Sequence, residues 1–187
     1  HPLLIALVGR GELKTLRAAE SPKSAYVLRG DALMSGLYVN ELVSRVVPRF
    51  DPHPDIFMSY GESVEALSEG PSEPVLRRFE LRLLSELGYR VDWFCDSAGD
   101  VIRPECSYRF EVDHGFCQVL MAEKRVTSGP VMTGTQVVAV SEWLADGDTT
   151  LALEWAPIKH ITRAALGQLT AGRTLHSREI YRQLKKT

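Results

Sequence analysis

The sequence predicts an α+β protein, with a short strand module at the amino terminus and a mainly helical body that carries a small β-hairpin insertion. Two observations predict this class. Apolar residues recur at helical spacing over 31–47 and 73–87. Short β-type runs flank glycine turns within 1–21 and 108–121. The 187 residues suffice for one ordinary domain or two small ones.

The first 21 residues predict a β-hairpin. An apolar run over 3–8 precedes the Gly-Arg-Gly turn at 9–11, and polar and apolar residues alternate over 12–17. A lone two-stranded hairpin is only marginally stable in water. We therefore expect it either to pair with further strands or to pack on the helical body.

The densest apolar segment of the chain predicts a helix over 31–47, with Asp31 as its N-cap and Pro48 just beyond its end. Two polar residues, Asn40 and Glu41, lie within it. The apolar stripe is wide, which predicts a helix that is covered on most sides and forms the centre of the core.

Two further helices are predicted over about 54–68 and 73–87. The second has Ser72 or Glu73 at its start, Pro74 in its first turn and Gly88 just past its end. The residues predicted to form its buried face are Val75, Leu76, Phe79, Leu83, Leu84 and Leu87. Its three arginines, Arg77, Arg78 and Arg82, are expected to lie to one side. The alternative is that they pair with glutamates of the same helix.

The carboxy-terminal half begins with a predicted hairpin, in which 108–112 and 116–121 flank the turn Asp113-His114-Gly115. A loop over 128–134 comes next.

The rest of the chain is predicted to be helical. Ser141 is expected to cap a short segment that ends at Leu144. A long helix is expected over about 149–170, kinked or divided at Pro157, and Ser177 is expected to cap the last helix.

The net charge of −2 conceals an asymmetry along the chain. Residues 1–30 hold five basic and two acidic residues, net +3, and residues 158–187 hold seven basic and one acidic, net +6, so the middle carries −11. If the fold brings both ends together, they form a positive face. The alternative is that these residues are simply solvated. No apolar run approaches the roughly 20 residues that cross a bilayer, and no signal peptide is recognisable.

Three cysteines, Cys95, Cys106 and Cys117, are spaced eleven residues apart, with His114 close to the last. A zinc site of three cysteines and one histidine is conceivable, but the close cysteine pairs that usually pre-organise such sites are absent. Free, reduced thiols in a cytosolic protein are favoured. The sequence has no phosphate-binding loop and no nucleophile elbow, so it gives no positive reason to predict an enzyme. A small metalloenzyme built on these four residues stays as an alternative.

The basic residues indicate a polynucleotide ligand more directly. Those predicted to bind DNA are Arg10, Lys14, Arg17, Lys159, Arg163, Arg173, Arg178 and Arg182. Cations near Tyr26 or Tyr38 are typical of a groove for single strands, where phosphates and stacked bases are held together. Such contacts do not read bases, so binding should be salt-sensitive and weakly dependent on sequence. A protein-interaction domain without DNA contact is the other alternative.

Several segments together carry a family resemblance. They are GRGELKTLR (9–17), GLYVNELVSRV (36–46), VLRRFEL (75–81), LGY (87–89) and SREIYRQL (177–184). Each alone is a weak signal, but in this order they resemble RecO, a family of bacterial recombination mediators. The resemblance extends over essentially the whole chain.

The resemblance implies an OB-fold barrel followed by a helical domain. Residues 1–22 would be late strands of a truncated OB-fold, with roughly fifty family residues missing before them, since a complete OB barrel has five strands. Residues 30–187 would be the helical domain. The β insertion at about 92–125 would be a degenerate, metal-free form of a zinc module that some members carry, and no cofactor is expected.

The resemblance also implies a function. The family's members are non-enzymatic mediators of DNA repair and recombination that bind single- and double-stranded DNA and anneal strands. They dock on the acidic tail of single-stranded-DNA-binding protein, act with RecR and help to load RecA. Carried over to this chain, the expected tail pocket is Leu76, Arg77, Arg78 and Phe79. The expected location is the cytoplasm, in association with the nucleoid and without a membrane.

Overall fold

The computed structural model describes residues 3–22, 24–119, 129–147 and 152–185. Within these ranges the chain forms six helices and five strands. In order they are β1 (Leu4–Val8), β2 (Thr15–Glu20), α1 (Gly30–Val46), α2 (Pro54–Ser68), α3 (Glu73–Glu86), β3 (Ser107–Glu111), β4 (Gly115–Gln118), β5 (Val131–Thr133), α4 (Gly134–Asp146), α5 (Trp155–Leu169) and α6 (His176–Leu184). The predicted mixture of helices with small antiparallel sheets is confirmed. None of the helices in the described ranges combines the length and the apolar character that a bilayer span requires.

The amino-terminal hairpin forms as predicted, although its second strand begins at Thr15, three residues later than expected. Strands β1 and β2 pair antiparallel from Leu4 opposite Glu20 to Val8 opposite Thr15, with an irregularity between Ala6 and Leu7. Every residue of both strands is exposed. The hairpin therefore adds nothing to the buried core of the described residues, and its identity as part of an OB-fold stays a prediction.

Helix α1 lies within one residue of the predicted range. Its N-cap residue and its place in the core differ from the prediction. Arg29 is the N-cap and makes no side-chain cap, while Asp31 lies in the first turn. Leu33 and Leu37 are 43% and 40% exposed, so the buried face is narrower than the apolar pattern suggests. Helix α1 lines one side of the core instead of forming its centre.

The core has two clusters, and α3 and α5 contribute to both. One cluster lies among α1, α2, α3 and α5 and includes Leu42 and Leu84. The other covers the sheet β4-β3-β5 with α4 and α5 and includes Tyr108 and Ile161. Helices α3 and α5 are thus the central pair, because each buries side chains in both directions.

The residues predicted to start and end helix α3 do so. The Ser72 hydroxyl accepts a hydrogen bond from the Val75 N–H, Pro74 lies in the first turn, and Gly88 has a φ of +83° just past the end. Its three arginines do not lie on one side, contrary to expectation. Arg77 is only 2% exposed and pairs with a glutamate of its own helix, as the alternative proposed.

The insertion contains the predicted hairpin of β3 and β4 and a third strand that the sequence did not indicate. Strand β5 pairs antiparallel with β3 on the side opposite β4. It has only three residues and comes after Gly129-Pro130, so its sequence is typical of a loop. The predicted second strand ends at Gln118; its expected continuation over 120–121 lies outside the described residues.

Three predictions about the carboxy-terminal helices were wrong. Helix α4 begins at Gly134 and is capped by Thr133 through a reciprocal capping box with Gln136, whereas Ser141 lies inside the helix. Pro157 lies in the first turn of α5, where its missing N–H has no intrahelical partner to lose, so it does not divide the helix. Ser177 does not cap α6, because its hydroxyl bonds to α1. The expected start of α5 near 149 lies outside the described residues.

Candidate functional site

A cavity of about 510 Å³ opens among α1, α3, α5 and α6. Its basic lining residues are Arg77, Lys159, Arg163, Arg178 and Arg182. Its larger apolar and aromatic lining residues are Met34, Tyr38, Leu76 and Tyr181. The cavity thus combines several cations with an apolar surface, an arrangement suited to an anionic ligand that also has an apolar part.

Arg77, which lines this cavity, belongs to a buried ion pair. The Arg77 Nη1 is 2.6 Å from the Glu80 Oε2, and the two side chains are 2% and 0% exposed. The same nitrogen donates to the Thr162 hydroxyl at 3.0 Å. The Arg77 Nε has no hydrogen-bond partner among the described residues and lies 3.8 Å from the Glu73 Oε1. Arg77 is therefore held by the fold on one side, while a polar atom of its guanidinium stays unsatisfied.

Tyr38 connects this ion pair to α6. Its hydroxyl donates to the Glu80 Oε1 and accepts from the Arg178 Nη2 at 2.9 Å. Burial raises the pKa of Tyr38, and the neighbouring Glu80 charge raises it further. The phenol therefore stays protonated at neutral pH and serves as a fixed donor to Glu80, while its oxygen positions Arg178.

Basic side chains outnumber acidic ones in the lining of the cavity, where Asp31 and Glu73 are the two carboxylates beside five cations. Lys159 Nζ pairs with the Glu73 Oε1 at 2.7 Å, so that cation is largely compensated. Within the described residues, neither Arg163 nor Arg182 forms a salt bridge. Partial desolvation lowers the pKa of Arg163, and the charges of Arg178 and Arg77 lower it further. Such crowding of like charges is relieved when an anion binds.

A second cavity, of about 200 Å³, adjoins the first. The two share Arg163, Arg178 and Arg182, and the second adds Arg173 together with the turn over 170–175. No carboxylate is among its lining residues. We call these two adjoining cavities the arginine site.

Helix α6 brings two of the shared arginines to the site, and Glu41 fixes that helix. The Glu41 carboxylate accepts from the N–H groups of His176 and Ser177 at 2.8 Å each and from the Ser177 hydroxyl at 2.7 Å. Burial alone would raise the pKa of Glu41, but these hydrogen bonds and the charge of Arg45 outweigh it and hold the pKa below its ordinary value. A side chain of α1 thus caps α6.

Sequence reasoning missed this contact. The only signal available was that Glu41 is a charged residue within the densest apolar helix.

The structure brings together the carboxy-terminal members of the predicted DNA-binding set. Those that line the arginine site are Lys159, Arg163, Arg173, Arg178 and Arg182. The other three, Arg10, Lys14 and Arg17, belong to the exposed amino-terminal hairpin and line neither cavity. Lys14 donates to the backbone carbonyl of Gly9 at 3.1 Å.

The four residues predicted to form a tail pocket are divided between two environments. Leu76 and Arg77 line the larger cavity. Phe79 is 1% exposed and packs in the core. Arg78 stacks over the Trp143 ring at 4.6 Å and donates to the Trp143 carbonyl at 2.8 Å, near the end of α4. Neither Phe79 nor Arg78 lines the arginine site.

The cysteines do not form a recognisable metal centre in the described part of the chain, where no group of three or more His, Cys, Asp or Glu could hold a metal ion. All three thiols are half-buried and free of disulfides. The Cys106 Sγ accepts a hydrogen bond from the Gln118 amide at 3.4 Å. The His114 Nδ1 lies 3.8 Å from the Glu111 Oε2 and so is engaged with a neighbouring carboxylate. That the insertion binds no metal stays a prediction.

Comparison with known proteins gives consistent matches. The family model described as Recombination protein O C terminal matches residues 28–185. The DNA repair protein RecO of Enterobacter sp. (strain 638) is 41% identical over 186 residues, which cover 97% of this chain and 75% of that protein. Proteins of the same name from Klebsiella pneumoniae and Yersinia pestis are 40% and 39% identical, with 97% of this chain and 72% and 73% of theirs covered.

Proposed function

Because the chain belongs to the RecO family of DNA repair and recombination proteins, we propose that it is a recombination mediator that acts by binding DNA strands and partner proteins and not by catalysis. The observation that carries this proposal is the arginine site. Arg163, Arg173, Arg178 and Arg182 surround adjoining cavities, and the smaller cavity has no carboxylate in its lining. Such a surface suits a ligand with repeated negative charges.

DNA phosphates are the ligand that this proposal assigns to the site. The guanidinium groups present planar donors that match phosphate oxygens. Tyr38 is buried, but Tyr181 on α6 lines the cavity and is exposed. Lys185 Nζ lies over the Tyr181 ring at 5.5 Å, so a base that stacks on this ring would displace Lys185 or use the opposite face. Binding through such contacts would be salt-sensitive and would extend to single and double strands alike. Neutralising two strands at once would lower their repulsion and favour annealing.

The amino-terminal hairpin is proposed to extend this surface. Arg10, Lys14 and Arg17 lie on strands or on the turn between them, and all three are exposed. In the family arrangement these strands would be late strands of an OB-fold, spanning residues 1–22, ahead of a helical domain over 30–187. An OB-fold carries oligonucleotides on one face, so the hairpin cations would contact the same strand.

Docking on the acidic tail of single-stranded-DNA-binding protein is proposed for the larger cavity. Leu76 and Arg77 remain in this proposed pocket, joined by Met34 and Tyr181 on its apolar side. Phe79, through the core, and Arg78, through Trp143 of α4, would hold α3 in position without contacting the tail. Through this contact and through RecR, the protein would reach coated DNA in the cytoplasmic nucleoid and help RecA to load.

Fluorescence anisotropy with a labelled single-stranded oligonucleotide tests the proposal. The wild-type protein should bind, and Arg163→Gln/Arg182→Gln should weaken binding by roughly tenfold at low salt, because two phosphate contacts are lost. The matched control is Arg49→Gln/Arg90→Gln, which removes the same charge from exposed positions outside the site.

Wild-type protein that binds no oligonucleotide would contradict the proposal and favour an interaction domain without DNA contact. Equal losses in the two double variants would place the DNA elsewhere on the chain.

A further inference from the structure

The tail docking and the DNA binding proposed for this chain involve residues that the fold places in one cavity. Leu76 and Arg77, from the proposed tail pocket, line the same 510 Å³ space as Arg163, Arg178 and Arg182, from the proposed DNA site. These residues come from three helices and are distant in sequence, so their proximity is evident only once the chain is folded. If both proposals hold, one cavity would meet two anionic ligands.

The cavity has room for one of them at a time. A volume of about 510 Å³ is within the usual range for a pocket that encloses a single ligand of drug-like size. An apolar carboxy-terminal side chain of a peptide, seated against Leu76 and Tyr181, would fill the part of the cavity that a stacked base would also need.

The charges lead to the same conclusion. Glu80 compensates Arg77 at 2.6 Å, and Glu73 compensates Lys159 at 2.7 Å. Among the cations of the larger cavity, Arg163, Arg178 and Arg182 form no salt bridge within the described residues, and all three also line the smaller cavity. Peptide carboxylates and DNA phosphates would therefore compete for the same guanidinium groups.

We infer that an acidic peptide tail and a DNA strand bind the arginine site in a mutually exclusive way, so that the partner's tail must leave before this site can hold DNA. The inference rests on the proposed function and adds an order of events to it. The tail would recruit the protein, and exposed DNA at high local concentration would then displace the tail.

A competition experiment tests this exchange. The probe is a fluorescein-labelled poly-aspartate peptide ending in phenylalanine with a free carboxylate, first bound to the full chain. Unlabelled single-stranded oligonucleotide is then added at constant ionic strength. We expect the anisotropy to fall to the value of free peptide, and the oligonucleotide concentration needed for half displacement to rise with the concentration of free peptide. A stable or rising anisotropy, which indicates a ternary complex, would overturn the inference.

Variants make the result specific. Leu76→Ser should raise the peptide Kd at least tenfold, because the apolar side chain at the peptide's end loses the wall against which it is seated. Arg163→Gln/Arg182→Gln should raise both constants by about tenfold. If that double variant weakens only one ligand, the two do not share these arginines and the inference is wrong.

The binary titrations separate this inference from the proposed function. Absence of either binary complex in the wild-type protein would overturn both. Two sound binary complexes that form independently of each other would overturn the exchange alone.

Discussion

The Arg77–Glu80 pair shows how a single residue can be misjudged from sequence. Two adjacent arginines on an amphipathic helix indicate a basic surface, yet Arg77 is buried, paired with Glu80 and bonded to Thr162. Helical spacing allowed the internal pairing, but only the packing of α3 on α5 decides which arginine turns inward. Charge reversal at Arg77 would consequently damage the fold, which makes Leu76 the better position for probing the cavity.

Removing one partner of this pair should destabilise the protein strongly. Glu80→Gln removes the nearer and fully buried of the two carboxylates that face the Arg77 charge and leaves only Glu73 at 3.8 Å, so we expect a loss of about 3–5 kcal/mol in the free energy of unfolding. Arg77→Met combined with Glu80→Gln removes both charges and should recover most of that loss. Urea unfolding of the four members of this double-mutant cycle measures the coupling. Additive losses in the double variant would show that the pair is not coupled.

Glu41 gives a prediction that depends on pH. Its folded-state pKa lies below the ordinary glutamate value of about 4.3, so its carboxylate stabilises the fold above that pH and loses its effect as the pH falls through the folded-state pKa. Glu41→Gln should lower the free energy of unfolding by about 1 kcal/mol at pH 7, as expected for loss of a helix cap. The difference from wild type should shrink below about pH 4. Unfolding curves at several pH values measure it, and a difference that does not vary with pH would contradict the capping role.

Among the secondary-structure elements, helix ends were predicted well where capping and helix-breaking residues mark them. Pro74, Ser72 and Gly88 mark α3, and each acts as predicted because its effect depends only on neighbouring backbone. Strand β5 was missed because it is held by β3, which is about twenty residues earlier in the chain. Side-chain patterns in three residues cannot indicate such a partner. The start of α4 did carry a local signal, the capping box of Thr133 and Gln136, which was overlooked in the sequence.

Gly134, at the junction of β5 and α4, has an ordinary backbone conformation but no room for a side chain. Among the described glycines, an added Cβ would make its closest contact here. A Cβ on Gly134 would lie 1.9 Å from the Arg103 carbonyl oxygen, which is backbone and cannot rotate away. Gly134→Ala should therefore cost about 3 kcal/mol, although alanine is the better helix former.

Gly61 in the middle of α2 provides the matched control. A Cβ there would meet no heavy atom within 4 Å. Gly61→Ala should raise the free energy of unfolding by about 0.5–1 kcal/mol. Thermal or urea unfolding of both variants tests the geometry, and equal effects at the two glycines would contradict the close approach at Gly134.

For the whole molecule, the charge asymmetry of the sequence was informative but incomplete. The cations of both chain ends were expected on one surface. Five carboxy-terminal cations do line adjoining cavities, whereas Arg10, Lys14 and Arg17 of the amino-terminal hairpin line neither. What could not be foreseen is that Lys159 is neutralised by Glu73 and that Lys185 pairs with Asp31 at 3.2 Å. Those contacts depend on how α5 and α6 cross α3 and α1, so they arise from the assembled fold and not from any segment alone.

The salt dependence of binding to a single-stranded oligonucleotide tests most directly whether the arginine site holds DNA phosphates. The logarithm of the binding constant should fall linearly with the logarithm of salt concentration for the wild-type protein. Arg163→Gln/Arg182→Gln should reduce the magnitude of that slope by about 1.4, since each lost phosphate contact removes about 0.7 for single strands. Arg49→Gln/Arg90→Gln should leave the slope unchanged. If both double variants show the same slope as the wild-type protein, DNA phosphates do not contact the arginine site.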